Sequence, residues 1–185
     1  MVKLDIGCGI RKQEGFIGVD KFPLQGVDVV MDITKDPWPW EPESVDQVHC
    51  SHFIEHLTAM ERVQFLNNLY RVMKYGAQAQ LIAPNWASCR AYGDPTHQWP
   101  PIGEMFPFYL NYEWRVTQGN APHTDASNDP TMYSCDFDVL TGFNLDIGVQ
   151  PRHDEARAWM MKYYKESTPD IYITLTKTKR EKNGN

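Results

Sequence analysis

The sequence predicts a single α/β domain built around a largely parallel sheet, and three observations carry that expectation. Up to about residue 84, short apolar runs alternate with loops and one amphipathic helix. Several of those runs are apolar at consecutive positions, the pattern of strands buried on both faces of a parallel sheet. A chain of 185 residues is long enough for one sizeable core and too short for two ordinary domains.

Taken in order, Val2–Ile6, Phe16–Val19, Val27–Met31, Val45–Cys50 and Ala77–Ala83 are expected as strands, each bounded by Gly, Pro or Asp. The helix between the last two has the clearest local signals. Thr58 can cap its start, and Glu61 completes a capping box. Met60, Val63, Leu66, Leu69 and Met73 then form one apolar face. Lys74 suits the negative end of the helix dipole, and Gly76 is expected to supply a left-handed stop. A strand, this helix and the next strand make a right-handed crossover.

From about Arg90 to Ser134 periodicity fades, and prolines crowd with Trp99, Phe106, Phe108, Tyr109, Tyr112 and Trp114. A long irregular segment in a compact domain is often a lid or binding loop, so residues 86–135 are expected to form a lid or substrate insertion. Two further strands follow at Asp136–Leu145 and Asp170–Lys177. A helical run containing Ala156, Trp159, Met160 and Tyr163 lies between them. The polar end, Lys179 to Asn185, is expected to fray.

Composition narrows the function. The hydrophobic fraction of 42% fits a soluble globular protein, and the net charge of −6 argues against a grip on a phosphate backbone. From Arg90 to Cys135 five acids stand against only two basic residues, Arg90 and Arg115, which would repel a polyanion. No positively charged leader with an apolar core opens the chain, and no run approaches a membrane span. Cys8, Cys50, Cys89 and Cys135 are scattered, without metal-ligand or disulfide spacing, which suits a reduced cytoplasm. A small-molecule partner is therefore expected, with no nucleic acid and no membrane.

The first strand ends in Leu4-Asp5-Ile6-Gly7-Cys8-Gly9. Gly7 and Gly9 permit a tight turn and let a ligand approach the backbone. Alone, Gly-x-Gly serves several nucleotide-like ligands. A dinucleotide fingerprint wants a third glycine opening a helix toward a pyrophosphate, whereas Lys12 holds that position. Asp20 follows Gly9 by eleven positions, and a strand must also fit in that gap, so the first crossover helix is shortened or absent. A Walker loop is excluded as well, because no Gly-Lys-Ser/Thr follows. S-adenosylmethionine carries no phosphate and fits such a loop. Asp20 stands where a carboxylate can accept from both ribose hydroxyls, and Asp32-Ile33 where an acid and an apolar residue can take adenine.

With these pieces in place, the chain resembles the class I S-adenosylmethionine-dependent methyltransferases, in particular their small type 11-like branch. The matching segments are Leu4–Gly9, Gly18–Asp20, Asp32-Ile33, Val45–Val48, Ser51–Leu57 and the helix through Leu69–Met73, covering about the first half. Asp94-Pro95-Thr96-His97 also resembles a motif of that branch. The resemblance implies a Rossmann-like sheet of seven strands, mostly parallel with one antiparallel strand. It implies that Gly7 and Gly9 line the methionine part, Asp20 the ribose, Asp32 and Ile33 the adenine, and that Ser51 and His52 lie beside the methyl donor. Asp5, Cys8 and Lys21 complete the expected cofactor set. The departures are the missing first helix and Ile10-Arg11, where a further glycine is common.

Methyl transfer is an in-line displacement that needs alignment, and a hydroxyl or amine acceptor also needs a base. The candidates are His97, His52 and Asp94, with His97 favoured because Asp94 can orient it. His56, Asp94, His97 and Trp99 are expected on the substrate side. Against this stands His52-x-x-Glu55-His56, the spacing of an inverted zinc-peptidase motif. It would make the chain a zinc hydrolase. It sits between a strand and a helix cap, however, where only a short turn fits, so no metal is expected. A third alternative is a non-catalytic relative that keeps the cofactor pocket.

Overall fold

A computed structural model describes residues 1–118 and 132–179. Among them, seven strands form one sheet: β1 Lys3–Ile6, β2 Ile17–Asp20, β3 Val29–Val30, β4 Val45–Ser51, β5 Met73–Pro84, β6 Phe137–Asn144 and β7 Asp170–Lys177. Their spatial order is β3-β2-β1-β4-β5-β7-β6. The first five run parallel, and β7 is inserted antiparallel between β5 and β6. This is the expected Rossmann-like sheet. No helix lies between β1 and β2, so the chain turns straight from Gly7 through a loop into Ile17.

Helix α1, Ala59–Val72, begins at the Thr58 capping box. The Thr58 hydroxyl accepts from Glu61 N at 3.4 Å, and Thr58 N donates to Glu61 Oε2 at 2.8 Å. Its buried Val63, Phe65, Leu66, Leu69 and Val72 face the sheet core. The helix end differs from the sequence expectation. Met73 is already extended and pairs with Val45, so Val72 is the last helical residue. Gly76, at φ +77°, instead takes up the extra chain where the β4–β5 register shifts between the Met73 and Gln78 pairings. Lys74 reaches Asp46 at 2.7 Å rather than the helix carbonyls.

Burial on both sheet faces is also corrected. Val48, Cys50, Ala79, Leu81, Ile173 and Leu175 are buried on the face toward α1. The opposite face carries the paired row Asp5–His49–Gln80–Thr174–Leu140, of which only Asp5 is fully buried. Consequently β4 to β7 alternate in the manner of a sheet covered on one side.

The segment expected as a lid is anchored to the core along its described length. It contains the single turn α2, Arg90–Gly93, a 3₁₀ turn at Phe106–Leu110, and α3, Tyr112–Gln118. Ile102 and Leu110 are buried in the main core. Buried Arg62 of α1 donates from Nε to Ile54 O at 2.9 Å and from Nη2 to Gln98 O at 3.0 Å, and also bonds Pro100 O. Residues 119–131, and the tail beyond Lys179, lie outside the described residues. The last helix, α4, Asp154–Tyr163, has no buried residue. No helix among the described residues is long and apolar enough to cross a membrane.

Candidate active site

A pocket of about 550 Å³ opens over the carboxyl ends of β1, β2 and β4. That is where ligands bind in open parallel sheets, and the volume is that of an ordinary small-molecule site. Its loop comes from Asp5 and the glycines. Asp5 is buried, and its two oxygens accept from Gln13 N and pair with His49 Nδ1, both at 2.7 Å, which pins the loop's return. Gly7 adopts φ +69°, and a Cβ there would stand 2.6 Å from the Phe53 ring. Phe53 therefore packs on the bare Gly7 backbone and forms the pocket floor with it. Gly9, at φ +52°, donates its N–H to Asp20 Oδ2 at 2.9 Å.

Asp20 ends β2 and lines the pocket, with Oδ1 accepting from Phe22 N at 3.0 Å. Each carboxylate oxygen takes one backbone N–H here and keeps further lone-pair capacity for a ligand hydroxyl. Asp32 lines the pocket from the loop after β3. Its oxygens accept from the Thr34 hydroxyl at 2.6 Å and Lys35 Nζ at 2.9 Å, and these bonds lower its pKa to about 2. Ile33 is held by the buried Trp38, whose indole N–H donates to Ile33 O at 2.8 Å.

His52 follows β4 in the left-handed region, φ +53°, a conformation uncommon outside glycine and frequent at functional sites. It lines the pocket with Nδ1 3.3 Å from Glu55 Oε1 and Nε2 3.9 Å from Asp170 Oδ1. The Glu55 hydrogen bond raises its pKa above the ordinary imidazole value. His56 and Thr96 line the same side, with His56 Nδ1 2.9 Å from Thr96 Oγ1. His97 stacks edge-on against His56, ring centroids 4.7 Å apart, with Nδ1 3.3 Å from Ala91 O and Nε2 3.8 Å from Asp94 Oδ2.

Of the expected cofactor residues, Gly7, Asp20, Lys21, Asp32, Ile33 and His52 line the pocket. Asp5, Cys8, Gly9 and Ser51 do not line it, and Asp5 and Gly9 act through the bonds described above. On the substrate side His56 lines the pocket. Asp94 and His97 sit behind it, and Trp99 is largely exposed at 78%. The sequence reasoning missed Phe53, Met31, Thr34, Leu57, Glu61 and Thr96, which also line the pocket. Phe53, Leu57 and Thr96 lie within the motifs quoted from the sequence, and Glu61 in the capping box, but no pattern marked them as lining a pocket. The zinc-peptidase geometry is not formed: Ile54–His56 is a three-residue 3₁₀ turn, and His52 lies before it on the strand end.

Residues 12–80 match the family model described as a methyltransferase domain. No curated protein matches the chain at a significant level. Among solved structures, a SAM-dependent methyltransferase from Archaeoglobus fulgidus is similar at 22% identity and TM-score 0.61, covering 95% of this chain and 85% of its own. A protein described in complex with the Trm112 methyltransferase activator of Haloferax volcanii has 14% identity, TM-score 0.54 and coverages of 97% and 83%. Geranyl diphosphate C-methyltransferase from Streptomyces coelicolor, solved with Mg²⁺, geranyl diphosphate and S-adenosyl-L-homocysteine, has 15% identity, TM-score 0.51 and coverages of 96% and 72%. The strand order is the fold these methyltransferases share, and residues 12–80, which include the acid that partners the glycine loop, match the methyltransferase-domain model.

Proposed function

We propose that the protein transfers the methyl group of S-adenosylmethionine to an oxygen or nitrogen of a small-molecule acceptor. The pocket carries this reading, because it joins Gly7, Asp20, Asp32 and His52 in one cleft of suitable size at the strand ends. The cofactor's ribose would bind Asp20 and its adenine would lie against Ile33. Its sulfonium would lie near Gly7 and His52. The complexes of similar proteins with S-adenosylhomocysteine are consistent with that cofactor.

The acceptor would enter past His56 and Thr96, which line that side of the cleft. Acceptor positioning supplies most of the catalysis expected of such a site. His52, which lines the cleft, would take a proton from the acceptor, and His97 and Asp94 would support the wall behind His56.

Calorimetric titration with S-adenosylhomocysteine tests the reading. Tight 1:1 binding is expected, weakened by about 1.5–3 kcal/mol in Asp20→Ala through lost charge-assisted hydrogen bonds. Absence of binding by the unaltered protein would remove the reading's foundation.

A further inference from the structure

We propose that Glu55, His56 and His97 form a binding site for one divalent transition-metal ion beside the cofactor cleft. Each offers a ligand atom within 4.8 Å of the others. Bound to an ion, such atoms stand roughly 3.3–3.6 Å apart at metal–ligand distances of about 2.0–2.2 Å, so a small contraction closes the site. His56 is exposed, which leaves room for that movement.

Glu55 gives the independent observation. It is 4% exposed, and its Oε2 is buried with no hydrogen-bond partner among the described residues. A buried carboxylate oxygen left unsatisfied is costly and calls for a missing partner. Arg62 does not fill that role, since it donates to the backbone carbonyls of Ile54, Glu55, Gln98 and Pro100. His52 occupies only Oε1.

The histidines are oriented as metal ligands commonly are, through their second nitrogen. Thr96 Oγ1 donates its proton to Asp94 Oδ1 at 2.7 Å, and that carboxylate can only accept. Toward His56 the Thr96 oxygen must therefore accept, which places the proton on His56 Nδ1. His97 Nδ1 faces the Ala91 carbonyl, likewise an acceptor. In its neutral form each ring then carries its lone pair on Nε2, which in His97 lies 3.8 Å from Asp94 Oδ2, and the neutral imidazole is the form that binds metal. Two imidazoles and one carboxylate suit zinc, iron(II) or a neighbour in that series, and leave coordination positions open.

The site differs from the His52-x-x-Glu55-His56 zinc-peptidase motif, because His97 from the Asp94–His97 motif replaces His52 and Glu55 becomes a ligand. It gives those motifs a shared purpose where they meet in space. Because His56 and Thr96 line the pocket, an ion here would hold an acceptor oxygen or nitrogen near the methyl donor. That role rests on the methyl-transfer reading, whereas the binding itself does not.

The test uses the full chain without a histidine tag, stripped with chelator and titrated with Zn²⁺ and, for its visible spectrum, Co²⁺. Stoichiometric 1:1 binding is expected, with a Co²⁺ absorption band. His56→Ala and Glu55→Gln should each weaken Zn²⁺ at least tenfold, while His153→Ala, at the exposed α4 cap, leaves it unchanged. Circular dichroism and S-adenosylhomocysteine titration of the same variants check that fold and cofactor site persist, so failure of the metal site and failure of the methyl-transfer reading are distinguishable. No 1:1 binding, or affinity indifferent to both His56→Ala and Glu55→Gln in folded protein, overturns the proposal.

Discussion

At the residue scale, the pocket depends on positions where a side chain is either absent or tightly occupied. Gly7 combines a left-handed backbone with an aromatic ring where its Cβ would lie. Gly7→Ala should therefore cost about 1–3 kcal/mol of stability and weaken S-adenosylhomocysteine binding, measured by urea denaturation and calorimetry. Asp32 illustrates pH linkage. Its folded pKa, about 2, lies below its ordinary value of 3.8, chiefly because of the Thr34 hydroxyl and then Lys35. Its stabilisation is therefore present above pH 4 and is lost as pH falls toward 2. Asp32→Asn should shrink the difference in urea midpoint between pH 6 and pH 2.5. An unchanged difference would mean that the carboxylate's bonds contribute nothing to folding.

At the scale of elements, α1 shows which local signals survive packing. The Thr58–Glu61 box forms as its spacing requires, and Thr58→Ala should cost about 1 kcal/mol, read as a lower thermal midpoint. The far end was less legible. A Lys-x-Gly sequence is a sound helix stop in isolation, yet pairing of Met73 with Val45 ends the helix earlier. Gly76 keeps the left-handed conformation its identity favours, but in the irregular stretch of β5. The 86–135 segment has a similar history. Its lack of periodicity was visible, whereas its attachment through Arg62 to the backbone carbonyls of Gln98 and Pro100 was not. An arginine in a helix sequence gives no hint that its partners lie up to 38 residues away.

At the scale of the whole molecule, the sheet carries its apolar core on one face and a polar row on the other. Leu81 and Gln80 are adjacent on β5 and face opposite ways. Leu81→Ala should lose about 2–5 kcal/mol, while Gln80→Lys should stay within about 0.5 kcal/mol of the parent. Denaturant titration of the pair measures this asymmetry. Equal losses would show that the second face is covered in solution.

The sequence by itself determined the strands near their observed places, the capped start of α1, the absence of a first crossover helix, and the order Gly7, Asp20, Asp32, His52 along the cleft. These follow from short-range chemistry: turn glycines, caps, apolar runs and acids at strand ends. The resemblance supplied the single antiparallel strand, which the register confirms. Only the tertiary structure decided that Phe53 stands over Gly7, that one sheet face stays polar, and that His97 stacks behind His56 rather than lining the pocket. The physical reason is common to all three. Each depends on groups brought together by the folded sheet, such as His56 and Thr96, 40 positions apart, and no local pattern records which partner such a side chain will meet.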